Sequence, residues 1–421
     1  MITLLRLDLV LRSPGGVTAP EVPAADDGFY VPVARDAWGD PHVPATSLAG
    51  SLRACAADLG QDTTTLFGTV DGDAVASPLR FLGTRVTIPE GSTHVRTRTA
   101  IDRHRAAPVP GLLFSGESLP AGTSITCYLR LDDKALLDEL RSVLGAWEPY
   151  IGGGRSVGRG RAELTGVRMR QLDLNTAAGR AAWLTGGGPS LFADAMVEFD
   201  LGPRSAPATE TLAWTFTIDG GLHVGTGKRD EDADASSPAL LIRRDGLPCV
   251  PGSTWKGLLR SRCEYILRSI GRHACHSSDP ATRCSALPVC DVCAAFGWTG
   301  ENTYSVGQRS LLWFGDSLIT DGECAIVQHV ALDRVTGGAR DGQLYTLEVV
   351  TSGTVVLNLE VHGALTPAVR ALLDLAVADI HDGHLGVGAA TTRGLGRLLL
   401  SNDDTKSSRE QAARILAEEI G

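Results

Sequence analysis

One eleven-residue pattern occurs twice in this chain. The first copy is VPATSLAGSLR at Val43–Arg53, and the second is VPGSTWKGLLR at Val250–Arg260. Both copies open with Val-Pro, pass through a short turn of small residues and end in Leu-Arg. Pro44 and Pro251 lie 207 residues apart. A pattern repeated at this distance predicts two similar domains in one chain.

Further landmarks recur in the same order after each copy. The pair Asp102-Arg103 reappears 231 residues later as Asp333-Arg334. A loop rich in glycine and arginine then closes each half, and matching loop residues are 236 apart. The slowly growing separation predicts insertions in the second copy. The two Gly/Arg loops are GGGRSVGRGR at Gly152–Arg161 and GVGAATTRGLGR at Gly386–Arg397.

The spacing of apolar residues predicts the same order of elements in each half. In residues 2–12 every second residue from position 5 is a leucine, which is typical of a half-buried strand. Thr46 or Ser47 is predicted to cap the first helix. The predicted elements of the first half are 2–12, 46–59, 79–87, 124–131, 134–144 and 162–170. Those of the second half are 211–218, 253–270, 310–314, 355–361 and 367–381. Irregular excursions are expected at 93–119 and 329–346.

The order strand, helix, strand, strand, helix, strand fits a ferredoxin-like α+β core. We therefore predict two ferredoxin-like domains in tandem, at residues 1–170 and 210–400. Residues 171–209 are rich in glycine and proline and are predicted to form a linker with a few ordered strands. Residues 401–421 are predicted to form a charged helix that is solvated or faces a partner.

Charge and composition exclude several classes of protein. The net charge of −10 works against a diffuse nucleic-acid-binding surface, but arginines cluster near positions 100 and 158 and permit a local basic groove. The sequence has no run of about 18 apolar residues, so no membrane span is expected. Nine cysteines without a signal-peptide pattern argue against a disulfide framework and for the reducing cytoplasm.

Four of these cysteines fall within 19 residues, in an insertion at 271–297: Cys275, Cys284, Cys290 and Cys293. Their number and the closing Cys-x-x-Cys are typical of tetrahedral zinc. Because four protein ligands leave no open position, such a zinc ion would be structural. Two alternatives stay open: His273 or His276 replaces a cysteine, or the four thiols are free.

The landmarks resemble the RAMP superfamily of CRISPR-associated proteins, and more closely the backbone subunits of type III effector complexes. Their order, seen twice over roughly residues 1–170 and 210–400, resembles a fused pair of such subunits. The second half carries GLHVGTG, VPGSTWKGLLR, Cys-x-x-Cys before Phe296-Gly297, HVALDR and TTRGLGR. The first half carries VPATSLAGSLR, LFG, HVRTRTAIDR, GLLFSGE and GRSVGRGR.

The resemblance implies a ferredoxin-like palm and a thumb hairpin in each half, here about residues 93–122 and 328–350. It implies that subunits stack along a CRISPR RNA and hold this guide for pairing with a target RNA. In catalytic subunits of the family, a loop aspartate supports cleavage of the target. The expected partners are CRISPR RNA, target RNA and other type III effector subunits, with no membrane.

Cations in the repeated motifs are candidates for contacting RNA phosphates. Glycines in the Gly/Arg loops let backbone N–H groups approach a phosphate that arginines clamp, although a tight turn with surface arginines explains the same pattern. The helix after Pro251 offers its N-terminus and Lys256 to an anion, but a capped core helix is the alternative. Ala49 replaces this lysine in the first half.

Basic residues in the thumbs suit a wedge that contacts phosphates and unstacks a base, although the repeated Asp-Arg pairs are equally compatible with structural ion pairs. A histidine in such a hairpin is more often a positioning residue than a general base. The candidate RNA-binding residues are Lys256, Arg260, Arg53, Arg155, Arg159, Arg161, Arg393, Arg397, Arg96, Arg98, Arg103, His94, His329 and Arg334.

Two acidic loops are candidates for RNA cleavage. Such chemistry needs proton transfer, or a divalent cation such as Mg²⁺ held by carboxylates. Neither loop places an aspartate at the position that the family motif uses, and a solvated acidic loop is the alternative. The candidates are Asp232 and Asp234, favoured in the second loop, then Asp230, Asp27 and Asp26.

Three functions follow from these observations. The leading one is a CRISPR RNA-binding backbone subunit that holds the guide–target duplex and has a candidate cleavage loop. A catalytically inert assembly or capping subunit of such a complex is the second. The third, an endoribonuclease that processes the precursor CRISPR RNA, lacks a convincing general base near the first Gly/Arg loop.

Overall fold

The computed structural model describes most of the chain, and its elements form three sheets and eight α-helices within these residues. The mixed α+β class predicted from the sequence is confirmed. None of the described helices is long and apolar enough to cross a membrane. The described residues are 1–20, 24–25, 28–70, 72–89, 93–105, 107–193, 196–202, 209–226, 237–275, 283–300, 307–401 and 405–418.

The chain forms two compact units that do not follow the sequence repeat. Two short pieces of the first half, Thr97–Phe114 and Ser156–Gly158, belong to unit 2. The domain limits 1–170 and 210–400 describe the sequence repeat and stay a prediction. Unit 1 consists of Met1–Arg96, Ser115–Arg155 and Arg159–Ala208; unit 2 consists of Thr97–Phe114, Ser156–Gly158 and Thr209–Gly421.

The elements up to residue 208 are nine strands and four helices in the described residues. The main sheet of unit 1 has the strand order β4-β7-β1-β8-β9, and a second sheet has the order β2-β3-β6-β5. The strands are β1 (Ile2–Leu11), β2 (Ala24–Ala25), β3 (Gly28–Val31), β4 (Leu79–Thr87), β5 (His94–Asp102), β6 (Ala107–Ser118), β7 (Ser124–Leu131), β8 (Ala162–Leu172) and β9 (Val197–Glu198). The helices are α1 (Ala45–Asp58), α2 (Thr63–Phe67), α3 (Leu137–Ala146) and α4 (Ala177–Thr185).

The alternating leucines of β1 contribute to the main hydrophobic core of unit 1. Its leucines at 5, 7, 9 and 11 are buried on one face and pack with α1 and α3. The opposite face is not left to solvent, because Leu4 is also buried, in a smaller core with Leu172 and Phe192. Residues 171–209 supply this second core with α4, a 3₁₀ segment at Gly188–Phe192 and one short strand, so they are more helical than expected.

The elements of unit 2 after residue 208 form one seven-stranded sheet covered by helices. Its order is β11-β12-β14-β15-β10-β16, and β13 also pairs with β15. The strands are β10 (Glu210–Asp219), β11 (Arg243–Arg244), β12 (Leu247–Val250), β13 (Leu312–Phe314), β14 (Ser317–Leu332), β15 (Ala339–Val361) and β16 (Arg397–Leu400). The helices are α5 (Gly252–Ser269), α6 (Asp291–Phe296), α7 (Pro367–His381) and α8 (Thr405–Glu418).

The helices that follow each Val-Pro start differently from the prediction. Pro44 and Pro251 themselves occupy the N-cap positions, and no side chain caps either helix. Thr46 and Ser47 are therefore not caps. A proline fixes φ near the value that a helix entry needs and has no N–H to satisfy, which explains why the repeated Pro marks the start.

The two predicted irregular excursions form β-hairpins, β5–β6 and β14–β15, and the register of β14–β15 shifts at three places. The repeated aspartate stands at each turn. Asp333 accepts the N–H groups of Val335 and Thr336, both at 2.9 Å, and Asp102 accepts that of His104 at 2.8 Å. These N–H groups lower the pKa of Asp333. The Asp-Arg repeat is thus the sequence mark of a hairpin turn.

Helix α8 is not the fully solvated helix that its charge suggested. Ala412 and Leu416 are buried in the core of unit 2. Arg409 donates to Asp379 at 2.9 Å and to Asp382 at 2.6 Å. Apolar residues four apart form a stripe that docks the helix, while its charged residues cover the outer face.

Candidate functional site

The acidic cleavage candidates lie outside the described residues, and the structure places none of them. The site therefore consists of the cysteine cluster of unit 2 and the cationic residues near it. These unplaced candidates are Asp26, Asp27, Asp230, Asp232 and Asp234.

Folding brings the four predicted cysteines together. Their sulfur atoms all lie within 4.8 Å of one another, and Cys275 and Cys293 Sγ are 3.4 Å apart. Three of the four are buried and Cys284 is half-buried. The first turn of α6 carries Cys293 and follows Cys290, its N-cap. His273 is not part of the group, and His276 lies outside the described residues.

This arrangement fits zinc. Sulfurs around a tetrahedral zinc ion are roughly 3.8 Å apart, given a Zn–S distance of about 2.3 Å. Backbone N–H groups already point at the sulfurs: Cys284 N donates to Cys275 Sγ at 3.1 Å, and Cys290 N to Cys284 Sγ at 3.3 Å. Hydrogen bonding from Cys293 lowers the pKa of Cys290 and favours a thiolate. A buried set of four sulfurs can hold a metal such as zinc.

Helix α5 presents three charged residues at a spacing of four: Lys256, Arg260 and Glu264. Residues four apart share one helix face. Arg260 donates from Nε to Glu264 at 3.1 Å, and from its terminal nitrogens to Gly297 O at 3.0 Å and to Cys293 Sγ at 3.3 Å. One guanidinium therefore contacts the cysteine cluster, the loop after α6 and a carboxylate.

The tip of the β5–β6 hairpin also binds α5 within unit 2. Arg103 Nε donates to Glu264 Oε2 at 3.1 Å, and Ser261 Oγ donates to Arg103 O at 2.8 Å. Glu264 is only 1% exposed, so two arginines balance one buried carboxylate. Arg103 and Arg260, both predicted to bind RNA, are therefore held in place by an internal ion-pair network.

Lys256 has a different environment. Its Nζ donates to Ser156 Oγ at 2.7 Å, and no carboxylate pairs with it among the described residues. Burial, with a smaller contribution from the nearby Arg260, lowers its pKa to about 8. A half-buried ammonium group whose partner is a neutral hydroxyl still lacks a counter-charge.

A cavity of about 420 Å³ opens beside these residues. Four cations line it, together with three cysteines of the cluster and the indole of Trp298. The lining cations are Arg103, Lys256, Arg260 and Arg283.

The N-terminus of α5 is partly occupied by the protein itself. The first N–H of the helix, from Gly252, donates to Asp316 Oδ1 at 2.9 Å. Asp316 also pairs with Arg244 at 3.4 Å. A carboxylate therefore accepts one of the helix N-terminal N–H groups that were predicted to bind a phosphate. The side chain of Lys256 remains as a cationic group near this end of α5.

Glycines in the Gly/Arg loops serve the turns. In the first loop Gly160 has φ +70°, and a Cβ there would lie 2.2 Å from Ile151 O. In the second loop Gly396 has φ +85°, and a Cβ would lie 2.2 Å from Val387 O. Both N–H groups donate to protein carbonyls, Gly396 to Gly221 O at 2.7 Å. Each loop thus needs a glycine at this position, because both make the same kind of tight turn.

Arginines of these loops stack on tyrosines. Arg155 lies 4.4 Å from the ring centre of Tyr150, and Arg393 lies 5.4 Å from that of Tyr345 and hydrogen bonds to its hydroxyl. His329 stacks on this same tyrosine, with the ring centres of His329 and Tyr345 5.1 Å apart.

The remaining predicted RNA-binding residues are spread over the two units. Arg397 pairs with Asp219 at 3.3 Å. Arg53 on α1, Arg161 before β8, His94 at the start of β5 and Arg334 at the β14–β15 turn are exposed. The half-buried residues are Arg96, Arg98 and Arg159.

Sequence reasoning missed several residues that line the cavity or contact the residues lining it. Glu264 follows Arg260 by four positions on a helix. This spacing is typical of an ion pair and could have been recognised in the sequence. Ser156, Arg283 and Trp298 carry no such signal, because only the folded chain brings them to α5.

Comparison with known families adds one result. A family model described as the RAMP superfamily matches residues 15–163 and 215–399. The two matches cover both copies of the repeated pattern and most of the chain. A search of curated proteins gave no match.

Proposed function

We propose that this chain, which belongs to the RAMP superfamily, is a backbone subunit of a type III RNA-guided effector complex. The family matches two regions of the chain and implies a CRISPR-associated, RNA-binding role. In this role it holds a CRISPR RNA and the duplex that this guide forms with a target RNA. The observation that carries the proposal is the duplication, since one chain supplies two consecutive positions of a filament.

Each half has the elements that such a position needs. The order strand, helix, strand, strand, helix, strand in β1, α1, β4, β7, α3 and β8 supports a ferredoxin-like palm. In unit 2 the same order is seen in β10, α5, β14, β15, α7 and β16. A hairpin and a Gly/Arg loop accompany both. The duplicated landmarks thus correspond to duplicated structural parts.

The hairpins support contact with bases. At the end of β14–β15, Leu332, Val335 and Leu344 are 63%, 93% and 50% exposed. Apolar side chains on a projecting hairpin can pack against unstacked bases, while neighbouring arginines contact phosphates. We assign the β5–β6 and β14–β15 hairpins the role of thumbs.

The cationic residues support contact with the sugar-phosphate backbone. The chain has a net charge of −10, so binding depends on local groups. Arg155 and Arg393 on the two loops, together with Lys256 on α5, are the residues that we assign to phosphates. Zinc at the four cysteines would organise the loop that joins α5 to α6 and would take no part in RNA chemistry.

Cleavage of the target RNA is a second candidate function. The loop between β10 and β11 has four acidic residues within five positions, Asp230 to Asp234. Carboxylates at this density suit a divalent cation such as Mg²⁺, which would activate the 2′-hydroxyl or stabilise the leaving oxygen. Replacing both Asp232 and Asp234 by alanine should abolish cleavage and leave guide binding intact. Unchanged cleavage in the double mutant would rule this acidic segment out as the cleavage site.

RNA binding by the purified full-length chain tests the main proposal. We expect copurified RNA, and binding of a single-stranded oligonucleotide that weakens linearly with the logarithm of salt concentration. Effector subunits from the same genomic neighbourhood should join the chain and a guide in one particle. A chain that binds no RNA at low salt, alone or with these subunits, would refute the proposal. Specific cutting of precursor CRISPR RNA would replace it with the processing function.

A further inference from the structure

The cavity beside the cysteine cluster has a small excess of positive charge, because four cations line it against the carboxylate of Glu264 (−1) and, when loaded, a zinc ion with four thiolates (formally −2 in total). Of its four cations, Arg103 and Arg260 share the carboxylate of Glu264. Lys256 and Arg283 have no carboxylate partner among the described residues. A cavity with two such cations attracts an anion, because their Coulomb attraction is stronger where the protein lowers the local dielectric constant.

The position of Lys256 makes this attraction specific. A lysine at a free surface is hydrated and needs no partner, but this ammonium group is half-buried and meets only the hydroxyl of Ser156 at 2.7 Å. Its lowered pKa, about 8, reflects the cost of keeping the charge there. An anion in the cavity would offset that cost.

The wall of the cavity offers further hydrogen-bonding groups. Trp298 is 8% exposed, and its Nε1–H has no acceptor among the described residues. A buried donor without an acceptor is unfavourable, because it has lost its hydrogen bond to water without gaining another. Because Trp298 lines the cavity, an oxygen brought by a ligand is a candidate acceptor for this N–H. Thr299 and Gln308 line the same cavity with a hydroxyl and an amide.

We propose that this cavity binds a phosphate group through Lys256, Arg283 and Trp298. A phosphate matches cations and N–H donors that converge from several sides, and a volume of about 420 Å³ accommodates the sugar attached to it. The phosphate belongs either to the RNA backbone or to a free nucleotide. The RNA source deepens the proposed function and depends on it; the nucleotide source does not.

Arg260 is unsuitable for testing this site. It contacts Cys293 and Glu264 as well as the cavity, so its loss would disturb the metal cluster and the hairpin tip. Lys256 and Arg283 avoid this problem, since neither contacts a cysteine sulfur or Glu264 in the described structure. Arg283 is exposed, so its replacement should leave folding intact.

The experiment compares Lys256→Met, Arg283→Gln and Trp298→Phe with two matched controls, Lys134→Met and Arg309→Gln. Both control residues are exposed and lie outside the cavity. The probes are adenosine monophosphate, followed by thermal shift, and a single-stranded RNA with a 5′-hydroxyl, followed by fluorescence anisotropy. All proteins are loaded with zinc and carry the full chain.

We expect adenosine monophosphate to raise the Tm of the wild type and of both controls, and to raise that of Lys256→Met, Arg283→Gln and Trp298→Phe much less. If the RNA backbone fills the cavity, RNA affinity also falls about tenfold in Lys256→Met, and adenosine monophosphate competes with RNA. If a free nucleotide fills it, RNA affinity stays at the wild-type value.

Equal responses of all variants to both probes would overturn the phosphate site, while RNA binding by the wild type would leave the proposed function standing. A wild type that binds no RNA but shows a nucleotide shift that depends on Lys256 would keep the site and remove the proposed function. A wild type that responds to neither probe would remove both.

Discussion

Arg103 and Glu264 lie 161 residues apart in the sequence and form an ion pair with Nε 3.1 Å from Oε2. Arg103 sits at the turn of the β5–β6 hairpin, and Glu264 is buried on α5. Both belong to unit 2. The hairpin tip from the first half is therefore fixed to a helix of the second half through a buried carboxylate, and the backbone of Arg103 is held by Ser261 at 2.8 Å.

Removing this pair should destabilise unit 2. We expect Arg103→Met to lower the free energy of unfolding by about 1–3 kcal/mol, because Glu264 would then keep Arg260 as its sole cationic partner in the described structure. Chemical denaturation measures the change. Arg105→Met is the matched control, since Arg105 is exposed and meets Asp102 only at 4.0 Å. Equal stability of the two variants would show that the pair has no energetic role.

Metal removal tests the cysteine cluster. The full chain should carry roughly one zinc ion, measured by elemental analysis, and a chelator should lower its Tm because metal binding is coupled to folding. Cys293→Ser should bind no zinc and should have a lower Tm than the wild type. Cys324→Ser should lose neither, since Cys324 is an exposed cysteine outside the cluster. A metal-free chain with unchanged Tm would contradict the zinc assignment.

The titration of Lys256 gives a pH dependence with a definite sign. Its pKa in the folded chain is about 8, below its ordinary value of 10.5. The charged form therefore destabilises the fold below pH 8, and this penalty disappears between about pH 8 and 10.5 as the group loses its proton in both states. Lys256→Met should be more stable than the wild type at pH 7, and the difference should vanish near pH 10.5.

RNA affinity should follow the same titration if Lys256 binds a phosphate. Between pH 7 and 9 we expect a loss of up to about tenfold in the wild type and a much smaller loss in Lys256→Arg, which stays charged. Phosphodiesters do not titrate in this range. Glu264 and the cluster thiols face the same region, and the lysine-to-arginine comparison cancels their contribution. Identical pH profiles would exclude Lys256 as a phosphate ligand.

Asp379 should anchor helix α8. Its carboxylate is 5% exposed and accepts from Arg262 at 2.6 Å and from Arg409 at 2.9 Å. We expect Asp379→Asn to lower stability by about 1–3 kcal/mol and to speed hydrogen exchange in α8, because Arg262 loses its counter-charge and Arg409 keeps only Asp382. Asp382→Asn, at a more exposed partner of Arg409, should have a smaller effect. Normal exchange in α8 after Asp379→Asn would contradict this assignment.

Local patterns predicted the parts of the fold that depend on local physics. Helix α7 runs from Pro367 to His381 as predicted, because Thr366 caps it and its apolar residues follow the helical period. Strand β1 follows its alternating leucines. The cysteine cluster was predictable because metal ligands recur at characteristic spacings.

Other parts depend on contacts that sequence spacing does not carry. The hairpins lack an apolar period because few of their residues are buried. Val95 and Ile101, on one face of β5, are 40% and 51% exposed, and the other face carries the half-buried Arg96 and Arg98. The cavity combines residues from the hairpin tip, α5 and the loop after α6. Nothing local in the sequence links Arg103 or Trp298 to Lys256.

The contact between the hairpin tip of the first half and α5 of the second half has a consequence for how the two copies evolve. Two copies encoded by separate genes could mutate independently, and either could be replaced alone. Here a gene broken near residue 209 would yield a second half that lacks Arg103 and leaves the buried Glu264 with one fewer cation. The second half therefore depends on a residue encoded in the first, and selection acts on Arg103 and Glu264 as a pair.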